Sequence, residues 1–230
     1  MKKHGKKYAD TLKKAPQGLV SLEEAVAFIK ANPGAKFDET IDLSIHLGVD
    51  TTKSDQTVRG TVSLPHGTGK NVRVIVFAAG AAADQAKEAG ADEVGNDDLI
   101  EKVKGGWVDF DVAIATPDAM KEVRKIARVL GPRGLMPNPK TGTVTDDTAA
   151  AVKAAKAGKV DFRMDKTGNV SVLCGKRSFD AEKIVENIRA VLEAVRAERP
   201  AAAKGVFVRT ITVSSTMGVG VHVSTKEDKE

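Results

Sequence analysis

Two kinds of strand pattern constrain this chain more than anything else in it. Ile41-Asp42-Leu43-Ser44-Ile45-His46-Leu47 alternates apolar and polar residues without a break, as a strand with one buried and one wet face requires. Val58, Val62 and Leu64 continue that character, and Val160, Phe162 and Met164 alternate with Asp161, Arg163 and Asp165. Strand patterns return from Val206 to Val213 and from Val219 to Val223. The middle of the chain is different. Val72 to Ala79 is a nearly continuous apolar run and Val112 to Ala115 is a second, the mark of strands covered on both faces. Helical stretches separate them at Ala81–Ala89, Asp97–Lys104 and Pro117–Leu130, so the middle predicts a parallel sheet flanked by helices. The expected fold is therefore an α/β parallel-sheet (Rossmann-like) domain, residues 67–158, inserted into a discontinuous α+β domain of residues 1–66 and 159–230. Two neighbouring linkers would form a hinge.

Local signals fill in this frame. Ser21-Leu22-Glu23-Glu24 is a capping box opening a helix to about Ala31, which stops at Asn32-Pro33-Gly34. Another helix is expected from about Asp146 to Gly158. Lys166-Thr167-Gly168-Asn169 reads as a hairpin turn joining the Phe162 strand to one bearing Val170, Val172 and Cys174. Ile184, Ile188, Val191 and Val195 form the buried stripe of a long helix.

Composition narrows the function. The net charge is +5 and the pI about 9.2, which is compatible with a polyanionic partner without requiring one. Aromatic residues make up 4% of the 230-residue chain, with one Trp and one Tyr, so few rings are available to stack single-stranded bases. An RNA partner is then expected to be folded and held through backbone, hydroxyl and cationic contacts. The single cysteine, Cys174, excludes an internal disulfide framework and a multi-cysteine zinc site, and its position suits a small core residue. No secretory signal or membrane span is expected.

Enzymatic motifs are missing. Ala78-Ala79-Gly80-Ala81 carries one glycine where a dinucleotide fingerprint needs three, and no phosphate-loop Gly-Lys-Ser/Thr occurs. Gly80 reads as a strand-to-helix turn. His4, His46, His66 and His222 lack metal-ligand spacing, and Asp97-Asp98 and Asp146-Asp147 are explained by helix starts. No cofactor, metal or catalytic residue is expected.

Three basic or close-approach segments stand out instead. Lysines at positions 2, 3, 6, 7, 13 and 14 form a basic N-terminus, either a solvated tail or an arm along phosphates. The loop Gly131-Pro132-Arg133-Gly134-Leu135-Met136-Pro137-Asn138-Pro139-Lys140 is stiffened by three prolines, and follows a helix whose Lys121, Arg124, Lys125 and Arg128 share one side. It suits a recognition surface as well as a loop packed on its own domain. Ser214-Ser215-Thr216-Met217-Gly218 reads first as a plain turn between strands, and its hydroxyls, Met and Gly also suit contacts to ribose hydroxyls and phosphates.

Lys36-Phe37-Asp38-Glu39-Thr40, Ser54 to Gly60, Leu64 to Lys70, the Gly131 to Lys140 loop, Asp165-Lys166-Thr167-Gly168 and Thr216-Met217-Gly218 together resemble the bacterial large-subunit ribosomal protein L-one family. The resemblance implies a non-enzymatic, cytoplasmic ribosomal protein, monomeric when free, with the middle domain inserted into a split outer domain. It implies binding to folded large-subunit rRNA through Lys36, Phe37, Thr40, Arg163, Lys166, Ser215, Thr216, Met217 and Gly218, with secondary contacts from Arg133 and Lys140. It further implies a place in the mobile stalk, a part in releasing deacylated E-site tRNA, and repression through the protein's own operon mRNA. Met164 stands where the family often has Asn, and Val219 where some members carry Pro or Ala; the Thr216-Met217-Gly218 triplet is intact.

Overall fold

The structure, a computed structural model, describes residues 5–225. Lys2, Lys3, His4 and the tail from Lys226 lie outside the described residues, as does the side chain of Lys140. In chain order the elements are α1 (Lys6–Lys14), α2 (Leu22–Ala31), β1 (Thr40–Leu47), β2 (Arg59–Ser63), β3 (Val74–Phe77), α3 (Ala81–Glu88), β4 (Glu93–Gly95), α4 (Asp97–Lys104) and β5 (Val112–Ala115). They continue with α5 (Met120–Val123), α6 (Ala127–Leu130), α7 (Thr148–Lys156), β6 (Lys159–Arg163), β7 (Asn169–Lys176), α8 (Ala181–Ala197), β8 (Val208–Ser215) and β9 (Val221–Val223).

The fold is of the α/β plus α+β class, with the parallel-sheet part inserted into the other. Two compact units form, one from residues up to Gly69 and from Val160 onward, the other from Lys70 to Lys159. In the outer unit the principal sheet has the order β7-β1-β8-β9, with both neighbours of β1 antiparallel to it. β1 alternates between buried and half-buried positions along its whole length, as its sequence requires. Its buried side, Ile41, Leu43, Ile45 and Leu47, packs with Val26 and Ile29 of α2 and with the α8 stripe of Ile184, Ile188, Val191 and Val195. α2 begins where expected: Ser21 Oγ accepts from Glu24 N–H at 3.2 Å.

The inner unit has a parallel sheet of order β4-β3-β5. All four residues of β3 are buried. Ile75 and Phe77 pack with Leu99, Val103, Val123 and Leu130, while Val74 and Val76 join Ala86 and Val152 in a second cluster. Helices thus cover both faces, and apolar side chains are needed on both. Gly80, at φ 63° and ψ −140°, makes the turn into α3 with a backbone conformation that a side chain would strain.

Several expectations need correction. The helix expected over Pro117–Leu130 is broken into α5 and α6 by a 3₁₀ turn at Arg124–Ile126, where the tighter turn still buries both Val123 and Ile126. α7 starts at Thr148, because Asp147 is its N-cap and accepts from Ala150 N–H at 2.9 Å. Ser214 and Ser215 belong to β8 and not to the turn after it. The turn at Lys166–Asn169 is present, with Asp165 N–H donating to Asn169 O at 2.8 Å, but it does not close a hairpin. β6 pairs with β2 in a separate two-stranded sheet, while β7 pairs with β1. Both strands nevertheless bury Phe162, Val170 and Val172 in one core. Cys174 is fully buried there, and burial pushes its thiol strongly upward, which keeps it neutral.

Candidate nucleic-acid interface

Antiparallel pairing brings the start of β1 and the end of β8 to one rim of the principal sheet. Ile41 faces Ser215 across the ladder, and Thr40 and Thr216 extend it by one step beyond. Thr216 N–H donates to Thr40 O at 3.1 Å, and Thr40 N–H donates to Thr216 Oγ1 at 3.0 Å. The Thr216 hydroxyl also reaches Thr40 O at 3.3 Å. Its one proton is directed inward, while a hydroxyl oxygen has two acceptor lone pairs and Thr40 N–H occupies only one. Thr216 is exposed, so the remaining acceptor faces solvent.

Beneath this rim lies Glu39, with no exposed surface. Its carboxylate accepts from Met217 N–H through Oε1 and from Gly34 N–H through Oε2, both at 3.1 Å. One buried carboxylate therefore ties the segment before β1 to the segment after β8. Asp38 adds a second tie, accepting from Ser178 N–H at 3.0 Å and from its hydroxyl at 2.8 Å. Lys176 Nζ donates to Thr40 Oγ1 at 2.9 Å. Burial pushes the Asp42 carboxyl up, and the nearby Lys176 charge draws it partly back.

The residues singled out in the sequence fall into three places. Thr40, Thr216, Met217 and Gly218 share the rim, and Lys36 and Phe37 are exposed in the segment that leads into β1; Phe37 is 54% and Met217 59% exposed, an unusual amount for large apolar side chains. Ser215 lies beneath it, only 4% exposed, and its carbonyl accepts from Gly218 N–H at 3.0 Å. Its hydroxyl is thus not at the surface, because β8 continues through Ser215 and points that side chain inward. Arg163 and Lys166 are exposed but sit near the other end of the strands: Leu47 N–H donates to Gly168 O at 2.8 Å. The length of β1, about 24 Å at ~3.4 Å per residue, separates that turn from the rim. Arg133 is exposed in the inner unit.

Glu39, Gly34, Asp38 and Lys176 were not among the expected site residues. Glu39 looks like one more acid in a polar run; its importance appears only when Met217 and Gly34 donate to it. Gly34 carries a clearer signal after the fact, since a Cβ there would lie 2.6 Å from Met217 O.

The inner unit provides a contrast. Beyond the carboxyl ends of its parallel strands is a cavity of about 320 Å³ lined by Asn96, Thr116, Asp118, Glu122 and Asp146. Open parallel sheets bind nucleotides at this position, but three carboxylates there repel phosphate. Among the described residues no cluster of His, Cys, Asp and Glu is arranged to hold a metal, and no helix is long and apolar enough to cross a membrane.

The Ribosomal protein L1p/L10e family model matches residues 28–219, a span that takes in both sides of the rim. The chain belongs to this family. Among its relatives, the large ribosomal subunit protein uL1 of Corynebacterium glutamicum (strain R) is 54% identical over 230 residues, all of this chain and 98% of the relative. The protein of the same name in Cutibacterium acnes is 60% identical over 205 residues, covering 89% of this chain and 88% of its own length. That of Kosmotoga olearia is 53% identical over 224 residues, 97% of each chain. A member of the L1p/L10e family is a ribosomal protein and not an enzyme.

Proposed function

We propose that this L1p/L10e-family protein is a constituent of the large subunit of the cytoplasmic ribosome and grips a folded stretch of its rRNA with the rim formed by β1 and β8. The observation that carries this reading is the pairing of Thr40 with Thr216, which sets an outward-facing hydroxyl acceptor beside the exposed Met217. An acceptor of that kind can take a hydrogen bond from a ribose 2′-hydroxyl, the group that separates RNA from DNA. Met217 and Phe37 offer apolar surface to sugar or base faces. Lys36 and Lys176 supply charge toward phosphates. Gly218 permits close approach. Arg163 and Lys166, at the far end of the strands, form a separate outer contact, and Arg133 and Lys140 form a secondary one in the inner unit.

The family resemblance supports three finer proposals. The protein takes part in the mobile stalk, assists release of deacylated tRNA from the E site, and represses its own operon by placing the same rim on a mimicking mRNA site. The proposed division of labour treats residues 1–66 and 159–230 as the RNA-holding domain and 67–158 as the inserted one.

The test is titration of a large-subunit rRNA fragment against the full chain, with single 2′-deoxy substitutions along its protected nucleotides. At least one substitution should lower affinity for the native protein and leave Thr216→Val unaffected, because that variant has already lost the acceptor. Thr216→Val also removes the two side-chain bonds to Thr40 and keeps only the backbone one, so melting curves must accompany the titrations. Affinity insensitive to every 2′-deoxy substitution and to Met217→Ala would overturn the assignment.

A further inference from the structure

Next to the rim is a cavity that shares Met217 and Gly218 with it. It holds about 290 Å³ and is walled on one side by α1, through Lys7, Tyr8 and Thr11, and on the other by Asn32, Met217 and Gly218. α1 buries none of its own residues, so it adds little to the core. Its sequence does not suit an isolated helix either: nine residues are too few for stability in water without a tertiary partner. What it does is present Tyr8 and Thr11, one turn apart, toward the recognition turn, with Lys7 lining the same cavity, while Lys6 and Lys13 fall on the opposite side of the helix. Tyr8 is the only tyrosine in a chain poor in aromatic rings.

We propose that this cavity takes in one unpaired nucleotide of the RNA held by the rim. The base lies between the ring of Tyr8 and the side chain of Met217, and the adjoining phosphate lies against Lys7. Three observations converge on a nucleotide. The volume suits one nucleotide and falls at the small end of ligand pockets, too little for a helix or a strand of another protein. The walls pair an aromatic ring and a flexible thioether with a neighbouring cation, the combination that stacks a base and neutralises its phosphate. The cavity shares Met217 and Gly218 with the rim, so an RNA seated there passes its mouth. A base must already be unpaired to enter, since extruding a paired one adds an unstacking penalty. The inference rests on the proposed RNA grip and adds a specificity: the partner needs a bulged or loop nucleotide beside the helix that the rim contacts.

The test uses the full chain and a large-subunit rRNA fragment in which each unpaired nucleotide is replaced, one at a time, by an abasic residue. For the native protein, one abasic position should weaken binding roughly tenfold or more, the range for loss of one stacked base. Tyr8→Ala should weaken binding of the intact RNA by a similar factor and add no further loss at that one abasic position, whereas Tyr8→Phe retains the stacking. Because α1 buries no residue, Tyr8→Ala is expected to fold, and its melting temperature checks this. As a second probe, Thr11→Phe fills the cavity and should weaken the intact RNA more than the abasic one. If the effects of Tyr8→Ala and every abasic substitution simply multiply, the proposal is wrong while the rim assignment stands, provided Met217→Ala still weakens binding. If the native protein does not bind the fragment at all, both fall.

Discussion

At Glu39 a fully buried carboxylate accepts from two backbone N–H groups that belong to different ends of the chain. Glu39→Gln keeps the shape but replaces one acceptor oxygen by a donor, so either Gly34 or Met217 loses its partner. The expected loss of stability is about 1–3 kcal/mol, the cost of leaving a buried polar group unsatisfied. RNA affinity should fall with it, because Met217 is released; melting curves and RNA titration measure the two effects. Gly34→Ala acts on the same contact by crowding. Its Cβ would lie 2.6 Å from Met217 O, a backbone atom that cannot swing aside. A displaced turn and a stability loss on the order of 1–3 kcal/mol are expected. Asp165 gives the pH prediction. Backbone donation from Asn169, followed by the Thr167 hydroxyl, lowers its carboxyl from 3.8 to about 2. A carboxyl depressed on folding adds stability that is fully present above its unfolded value and is lost as pH falls through the folded one. The turn's contribution should therefore be intact above pH 3.8, disappear toward pH 2, and be absent at every pH in Asp165→Ala, as amide exchange of Thr167 and Asn169 would show.

Among the elements, α8 does more than close the core. Asn187, fully buried on it, donates to Cys174 O at 2.8 Å and Gly67 O at 3.1 Å and accepts from His66 N–H at 3.1 Å. This one side chain fixes the segment that follows β2. Asn187→Leu should cost on the order of 2 kcal/mol or more, since three backbone groups lose their partner, and thermal melting would measure it. The stripe of α8 and the alternation of β1 were both readable in the sequence, because one buried face imposes a period that no tertiary detail alters. The Asn187 clamp was not readable: a polar residue on a helix reveals nothing about carbonyls far away in the chain. The same reason explains the hairpin error. Lys166-Thr167-Gly168-Asn169 encodes a reversal of direction, and the sequence there is silent on which strand the returning segment joins. β1 takes β7 on one edge and β8 on the other, which leaves β6 to β2. The break between α5 and α6 also lacks a local sign, having neither Pro nor Gly at Arg124–Ile126.

Across the whole molecule, the cores do not mix. The outer cluster draws on residues between Leu22 and Leu64 and between Phe162 and Val223, while both inner clusters lie between Val74 and Ala155. A unit with its own closed core meets the physical condition for folding alone. Replacing residues 70–159 by a short Gly-Ser linker should therefore leave an outer chain that melts cooperatively. If the rim holds the RNA, that chain should also retain most of the affinity of the full protein for the rRNA fragment. Salt provides a finer comparison. The logarithm of affinity falls linearly with the logarithm of salt concentration, with a slope set by the number of phosphates neutralised. Secondary contacts from Arg133 and Lys140 would make the full chain's slope steeper than that of the shortened one, by about 0.7–0.9 per phosphate. Equal slopes would remove the inner unit from the interface. A shortened chain that folds yet binds hundreds of times more weakly would move the main grip off the rim, since among the described residues the outer cluster draws on none of the inserted ones.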